Sequence, residues 1–139
     1  MADHHISVCV CTYKRPELLK RLLEQLAKQE TGGVFSFSIV AVDNDRQRSA
    51  ETVVSEVADS TMVRVRYVVE PRQGIARARN KAVANADGDY LAFIDDDEFL
   101  SSSTWLLAVQ YSTEVQCRWS LRPSETALPG WHASVGRGR

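Results

Sequence analysis

The chain has 139 residues, 44% of them hydrophobic and 25% charged; these are values of an ordinary globular protein, and they exclude a disordered, collagen-like or disulfide-stapled chain. Lys plus Arg number 17 against 18 Asp plus Glu, a formal net charge of -1, so no bulk basicity points to nucleic acid or to an acidic membrane surface. The length suits one domain at most.

The opening MADHHIS lacks the basic and apolar regions of a secretory leader, and no apolar stretch reaches the ~18 residues that cross a bilayer. A cytoplasmic location, free or at the cytoplasmic face of the membrane, is expected. ISVCVC at 6–11 is a short uncharged run that fits a strand buried on both faces. Cys9 and Cys11 lie at i,i+2 within it and read as small buried thiols in a reducing compartment, because no Cys or His pair at zinc spacing is near.

Pro16 opens PELLKRLLEQLAKQ, where Leu18, Leu19, Leu22, Leu23 and Leu26 recur at helical spacing until Gly32-Gly33. FSIVAVD at 37–43 predicts a second strand, and a weaker helix follows around Arg48 to Ala58. VRVRYVVE at 63–70 predicts a third strand. Pro71 and Gly74 break the chain before the helix IARARNKAVANA, and DGDY at 87–90 turns into LAFID, the fourth strand.

Alternating strands and helices with short links predict a mainly parallel α/β sheet with flanking helices. Ligands of such sheets sit beyond the carboxyl ends of the strands. Those ends carry Thr12-Tyr13-Lys14-Arg15, Asp43-Asn44-Asp45, Glu70-Pro71-Arg72 and Asp95-Asp96-Asp97-Glu98, so polar and acidic groups converge on one edge.

Carboxylates as close as Asp95 to Glu98 repel one another unless a cation neutralises them. Hard oxygen ligands suit Mg²⁺ or Mn²⁺, with substrate phosphates completing the shell; Asp95 and Asp97, at i,i+2, are the natural pair. Alone, the run reads equally as a solvated acidic turn. Asp43 and Asp45 could accept hydrogen bonds from a base or ribose, or could serve turn and helix-capping chemistry. Arg77 and Arg79, at i,i+2, cannot share one helix face, so one is expected toward the sheet edge, where its fork of donors suits a diphosphate.

Together these segments resemble family 2 glycosyltransferases. SVCVCTYKRPELLKRLLEQL is similar to the family's opening strand, loop and helix, AVDND to its second-strand acidic motif, and GIARARNKAVANADGDYLAFIDDDE to its Gly-to-DxD segment, in order over about residues 6–108. The resemblance implies a GT-A (Rossmann-like) fold, a nucleotide-diphosphate sugar donor, and Mg²⁺ or Mn²⁺ on Asp97 with Asp95 beside it. It also implies that Thr12 and Arg15 border the nucleotide pocket, that Asp43 contacts the base with Asp45 adjacent, that Arg79 lies near the donor and that Asp95 lies by the ribose and sugar. The reaction would be inverting transfer to an acceptor hydroxyl on a glycan, lipid or small molecule. The general base, a carboxylate, belongs to the part of the family's domain after the DxD motif. No phosphoaspartate motif or glycine-rich loop follows the first strand, against a phosphatase or nucleotidyltransferase.

The pattern then changes. Residues 117–139 hold four Arg and one Glu (+3), against thirteen basic and seventeen acidic residues (-4) in 1–116. They show neither helical nor strand periodicity, and the family's next strand and base motif do not appear. The expected division is therefore a donor-binding half at 1–116 and an unassigned, disordered or non-native tail at 117–139. Back-translated as TGC CGA TGG TCT CTT CGG CCC and read one nucleotide later, residues 117–123 become Ala-Asp-Gly-Leu-Phe-Gly-Pro, which resembles that missing strand and suggests a shifted frame. The alternative to an active enzyme is a fragment that at most binds nucleotide and metal.

Overall fold

The computed structural model describes residues 5–33, 35–98 and 100; the chain beyond, including the expected tail at 117–139, lies outside the described residues. Among the described residues seven elements alternate: β1 (His5–Thr12), α1 (Pro16–Ala27), β2 (Ser36–Asp43), α2 (Glu51–Ser60), β3 (Val65–Val69), α3 (Ile75–Ala84) and β4 (Tyr90–Asp95). They follow the predicted order, with ends moved by three residues at most.

The four strands form one parallel sheet in the order β3-β2-β1-β4. The chain steps outward from β1 to β2 to β3, and α3 then carries it back to the far side of β1. Because right-handed crossovers cover opposite faces when the direction of travel reverses, α1 and α2 share one face and α3 takes the other. The strands' alternation divides the core accordingly. Ile6, Val8 and Val10 of β1 join Ile39, Ala41, Ala92 and Ile94 beneath Leu19, Leu22, Leu23 and Leu26 of α1 and Val54 and Val57 of α2. Cys9, Val40, Val42, Leu91 and Phe93 meet Ala78, Ala82 and Val83 of α3. Cys9 and Cys11 thus share the α3 side, as the i,i+2 spacing predicts, with Cys9 fully buried.

The turn into β4 docks on the start of β1. Asp89 N donates to His5 O at 2.7 Å, and His5 N donates to Asp89 Oδ2 at 2.9 Å. A Cβ on Gly88 would lie 2.7 Å from His5 O and 2.8 Å from Ser7 N, so this close approach admits only glycine. Among the described residues, no helix is long and apolar enough to cross a membrane.

Candidate functional site

The reversal of strand order between β1 and β4 leaves a crevice at their carboxyl ends, the position at which open α/β sheets hold ligands. A cleft of about 550 Å³ lies there, walled by Thr12–Arg15 at the end of β1, by Asn44 and Gly74, and by Asp95–Asp97 at the end of β4, with Cys11 and Ala78 also lining it. Lys14 holds a left-handed φ of 56° between the end of β1 and Pro16, whose ring suits the first turn of a helix. Tyr13 stays 40% exposed at this cleft, with Lys14 Nζ 5.4 Å from its ring centre.

The four acids that end β4 and follow it, Asp95 to Glu98, divide. Glu98 N donates to Asp95 O at 3.0 Å, closing a tight turn that sets the side chains of Asp95, Asp97 and Glu98 outward, with one oxygen of each within 4.8 Å of the others. Asp96 turns inward and is 6% exposed. Its Oδ2 accepts the Thr12 hydroxyl at 2.8 Å and its Oδ1 accepts Arg15 Nη1 at 3.2 Å. Burial pushes the Asp96 carboxyl above the usual range, against the lowering pull of Thr12 and Arg15. The same Arg15 nitrogen is 3.7 Å from Asp97 Oδ2.

Three exposed carboxylates at one point make a hard, all-oxygen donor set with free coordination positions, which fits Mg²⁺ or Mn²⁺ better than zinc or copper. Asp95 and Asp97, singled out by spacing, are both in it. Glu98 completes it, through a turn hydrogen bond that spacing alone does not reveal.

The end of β2 is built differently. Asp43 has no exposed surface. Its Oδ1 accepts Asp45 N at 3.1 Å, and its Oδ2 accepts Ala50 N at 2.9 Å and the Tyr67 hydroxyl at 2.6 Å. Burial, and then the Asp43 acceptor, push the Tyr67 phenol upward. Asp45 Oδ1 accepts Gln47 N at 3.0 Å, an Asx turn, and this bond together with Ser49 holds its carboxyl below the usual range. Neither carboxylate lines the cleft. Asn44 does, and as a staple: its Nδ2 donates to Glu70 O at 2.8 Å and Arg72 O at 2.9 Å, while its Oδ1 accepts Gly74 N at 3.1 Å. Gly74, at φ 141°, a backbone region that favours glycine, then starts α3.

Of the residues named from sequence, Thr12, Arg15, Asp95 and Asp97 come together at the cleft. Arg79 lies beside it, its Nη2 3.9 Å from Asp95 Oδ1, while Arg77 is exposed. Thus one of the two helix arginines faces the sheet edge, as the spacing predicts. Cys11 is the register partner of Asp95 across β1 and β4 and lines the same cleft; burial pushes its thiol up to about 12, so it stays neutral.

Comparison with known proteins gives the same assignment. Residues 7–117 match the model of glycosyl transferase family 2. The chain is 38% identical over 102 residues to the succinoglycan biosynthesis protein ExoM of Rhizobium meliloti, covering 73% of this chain and 32% of the relative. In structure it is similar to the mannosyltransferase PcManGT of Pyrobaculum calidifontis in complex with GDP-Man and Mn²⁺, with a TM-score of 0.68 at 22% identity over 77% of this chain and 31% of that one. It is also similar to S. aureus TarS in complex with UDP, with a TM-score of 0.64 at 24% identity over 76% and 30%. The chain therefore spans about a third of the length of these relatives, and the two structures establish a shared GT-A fold. With four-fifths of its residues inside the family match, the chain belongs to glycosyltransferase family 2.

Proposed function

We propose that this chain is the donor-binding part of a glycosyltransferase that takes a nucleotide-diphosphate sugar together with Mg²⁺ or Mn²⁺ and passes the sugar, with inversion, to an acceptor hydroxyl. The observation that carries the reading is the convergence of Asp95, Asp97 and Glu98 beside Arg15 and Thr12 at the strand-order reversal. Structural relatives bound to GDP-Man with Mn²⁺ and to UDP support it.

In this reading Asp95, Asp97 and Glu98 hold the cation, which when bound offsets the negative charge that develops on the departing diphosphate. Arg15 and Arg79 bring guanidinium donors to the same oxygens. Asn44 fixes the 70–74 loop as a rigid wall, and Asp43 and Asp45 serve the donor indirectly by shaping the loop on either side of Asn44. Cys11 stays neutral and adds no charge. The free thiols of buried Cys9 and half-buried Cys11 suit a cytoplasmic setting, in solution or at the inner membrane surface.

A second reading, binding without transfer, is favoured by one observation. Among the described residues, every carboxylate lining the cleft (Asp95, Asp96, Asp97) comes from the end of β4, whereas a base that deprotonates the acceptor must stand within reach of the acceptor hydroxyl. Calorimetric titration of UDP and GDP in the presence of Mn²⁺ tests donor binding, and hydrolysis or transfer from UDP- and GDP-sugars separates the two readings. Metal-dependent binding without turnover selects the second, and no binding of either nucleotide rejects both.

A further inference from the structure

Asp96 interrupts the row of outward carboxylates. It is buried, it spans from Thr12 to Arg15, and the guanidinium nitrogen that it holds at 3.2 Å also lies 3.7 Å from Asp97 Oδ2. The Arg15 guanidinium thus stands beside Asp97 as a cation supplied by the protein itself. Arg15 is half exposed, with its side chain 53% accessible, so an untethered guanidinium would sample many rotamers at little cost. The buried end of the tether removes that freedom: Asp96 has its second oxygen on Thr12, which is itself 4% exposed in the last position of β1.

We propose that Asp96 is a positioning residue that holds Arg15 as a built-in counter-cation of Asp97, so that a divalent cation entering the site competes with the guanidinium. An incoming diphosphate, lying in the same cleft, relieves that competition by offering Arg15 a second anion. Cation and diphosphate therefore bind more favourably together than apart, by a margin that Arg15 sets, and the coupling is reciprocal. The inference rests on Asp95, Asp97 and Glu98 being the cation ligands.

The test is Mn²⁺ titration of the purified 139-residue chain at low ionic strength, following free Mn²⁺ by electron paramagnetic resonance, with and without inorganic pyrophosphate. Without pyrophosphate, Arg15→Gln binds Mn²⁺ about two- to fivefold more tightly than wild type, the range of a partly exposed charge pair. That gain disappears when the same change is made in an Asp96→Asn background, where the guanidinium has lost its tether. Pyrophosphate enhances Mn²⁺ affinity less in Arg15→Gln than in wild type. Thermal melts of each variant report folding separately. Unchanged or weaker Mn²⁺ binding by Arg15→Gln, a gain that persists in the Asp96→Asn background, or an unaltered pyrophosphate enhancement overturns the proposal. Loss of Mn²⁺ binding in Asp97→Asn, seen alongside any of these, leaves the metal site itself standing. A wild-type chain that binds no Mn²⁺ overturns both.

Discussion

Thr12 donates its hydroxyl to Asp96 Oδ2 at 2.8 Å, joining the last residue of β1 to the turn after β4 inside the protein. Replacing Thr12 by Val keeps the shape and removes the donor, leaving a buried carboxylate oxygen unpaired. The expected cost is about 1–3 kcal/mol, read as a lower urea midpoint at unchanged m. The Asp96 carboxyl, already raised by burial, should move further up, because the Thr12 bond is one of the contributions holding it down.

Asn44 satisfies two carbonyls and one amide of the 70–74 loop. Asn44→Ala should destabilise the protein by about 2 kcal/mol, since the buried Glu70 carbonyl and the part-buried Arg72 carbonyl and Gly74 amide lose their partners. Amide hydrogen exchange at Gly74 should accelerate more than exchange in β1, because the loop opens while the sheet stays intact. Equal acceleration throughout would place the effect in global stability alone.

Glu70 is buried, and its Oε2 accepts Arg72 N at 3.0 Å. That backbone bond, first among its causes, holds the carboxyl below the usual range. A carboxyl with a lowered folded-state pKa adds stability that is present above the ordinary Glu value of about 4.3 and is lost as pH falls through the folded-state value. Urea melts from pH 6 down to about pH 3 should show a shallower decline for Glu70→Gln than for wild type. Parallel curves would remove Glu70 from the account.

Gly88→Ala should be tolerated poorly, since its Cβ would meet backbone atoms of His5 and Ser7 at 2.7 and 2.8 Å. Strand pairing between β1 and β4 must then shift, at an expected cost of about 1–3 kcal/mol, measured as a lower melting temperature. Gly33→Ala gives the contrast: its Cβ meets nothing within 4 Å, although its φ of 74° adds local strain, so its loss should reflect backbone conformation alone.

Chelation gives the last expectation. UDP or GDP with Mn²⁺ should raise the melting temperature of the wild-type chain by mass action, and EDTA should abolish that rise. Asp97→Asn should show little or none of it, while its melting temperature without ligand stays close to wild type because Asp97 is exposed.

The alternation of elements was legible because burial imposes periodicity. Leu19, Leu22, Leu23 and Leu26 repeat at the helical period since one face of α1 meets the sheet, and β1 and β2 lack charge in their centres since helices cover both faces. The acidic run marked the right edge of the sheet for the same reason: carboxylates are excluded from a covered strand and collect where it ends. Asp43 was less legible. An acid at the end of a strand is compatible with a ligand, a turn or a cap, and only the partners Asp45 N, Ala50 N and the Tyr67 hydroxyl show which use its oxygens have.

By itself, then, the sequence determined the parallel α/β class, the order of the elements and the edge at which chemistry would gather, because these follow from local periodicity and from the chain's need to pair backbone groups and bury apolar faces. Tertiary structure alone decided the strand order that puts β4 beside β1, the inward turn of Asp96 away from its three acidic neighbours, and the capture of the 70–74 loop by Asn44. Each of these depends on groups brought together from distant parts of the chain, and no short-range pattern records which donor a carboxylate will meet once the sheet has formed.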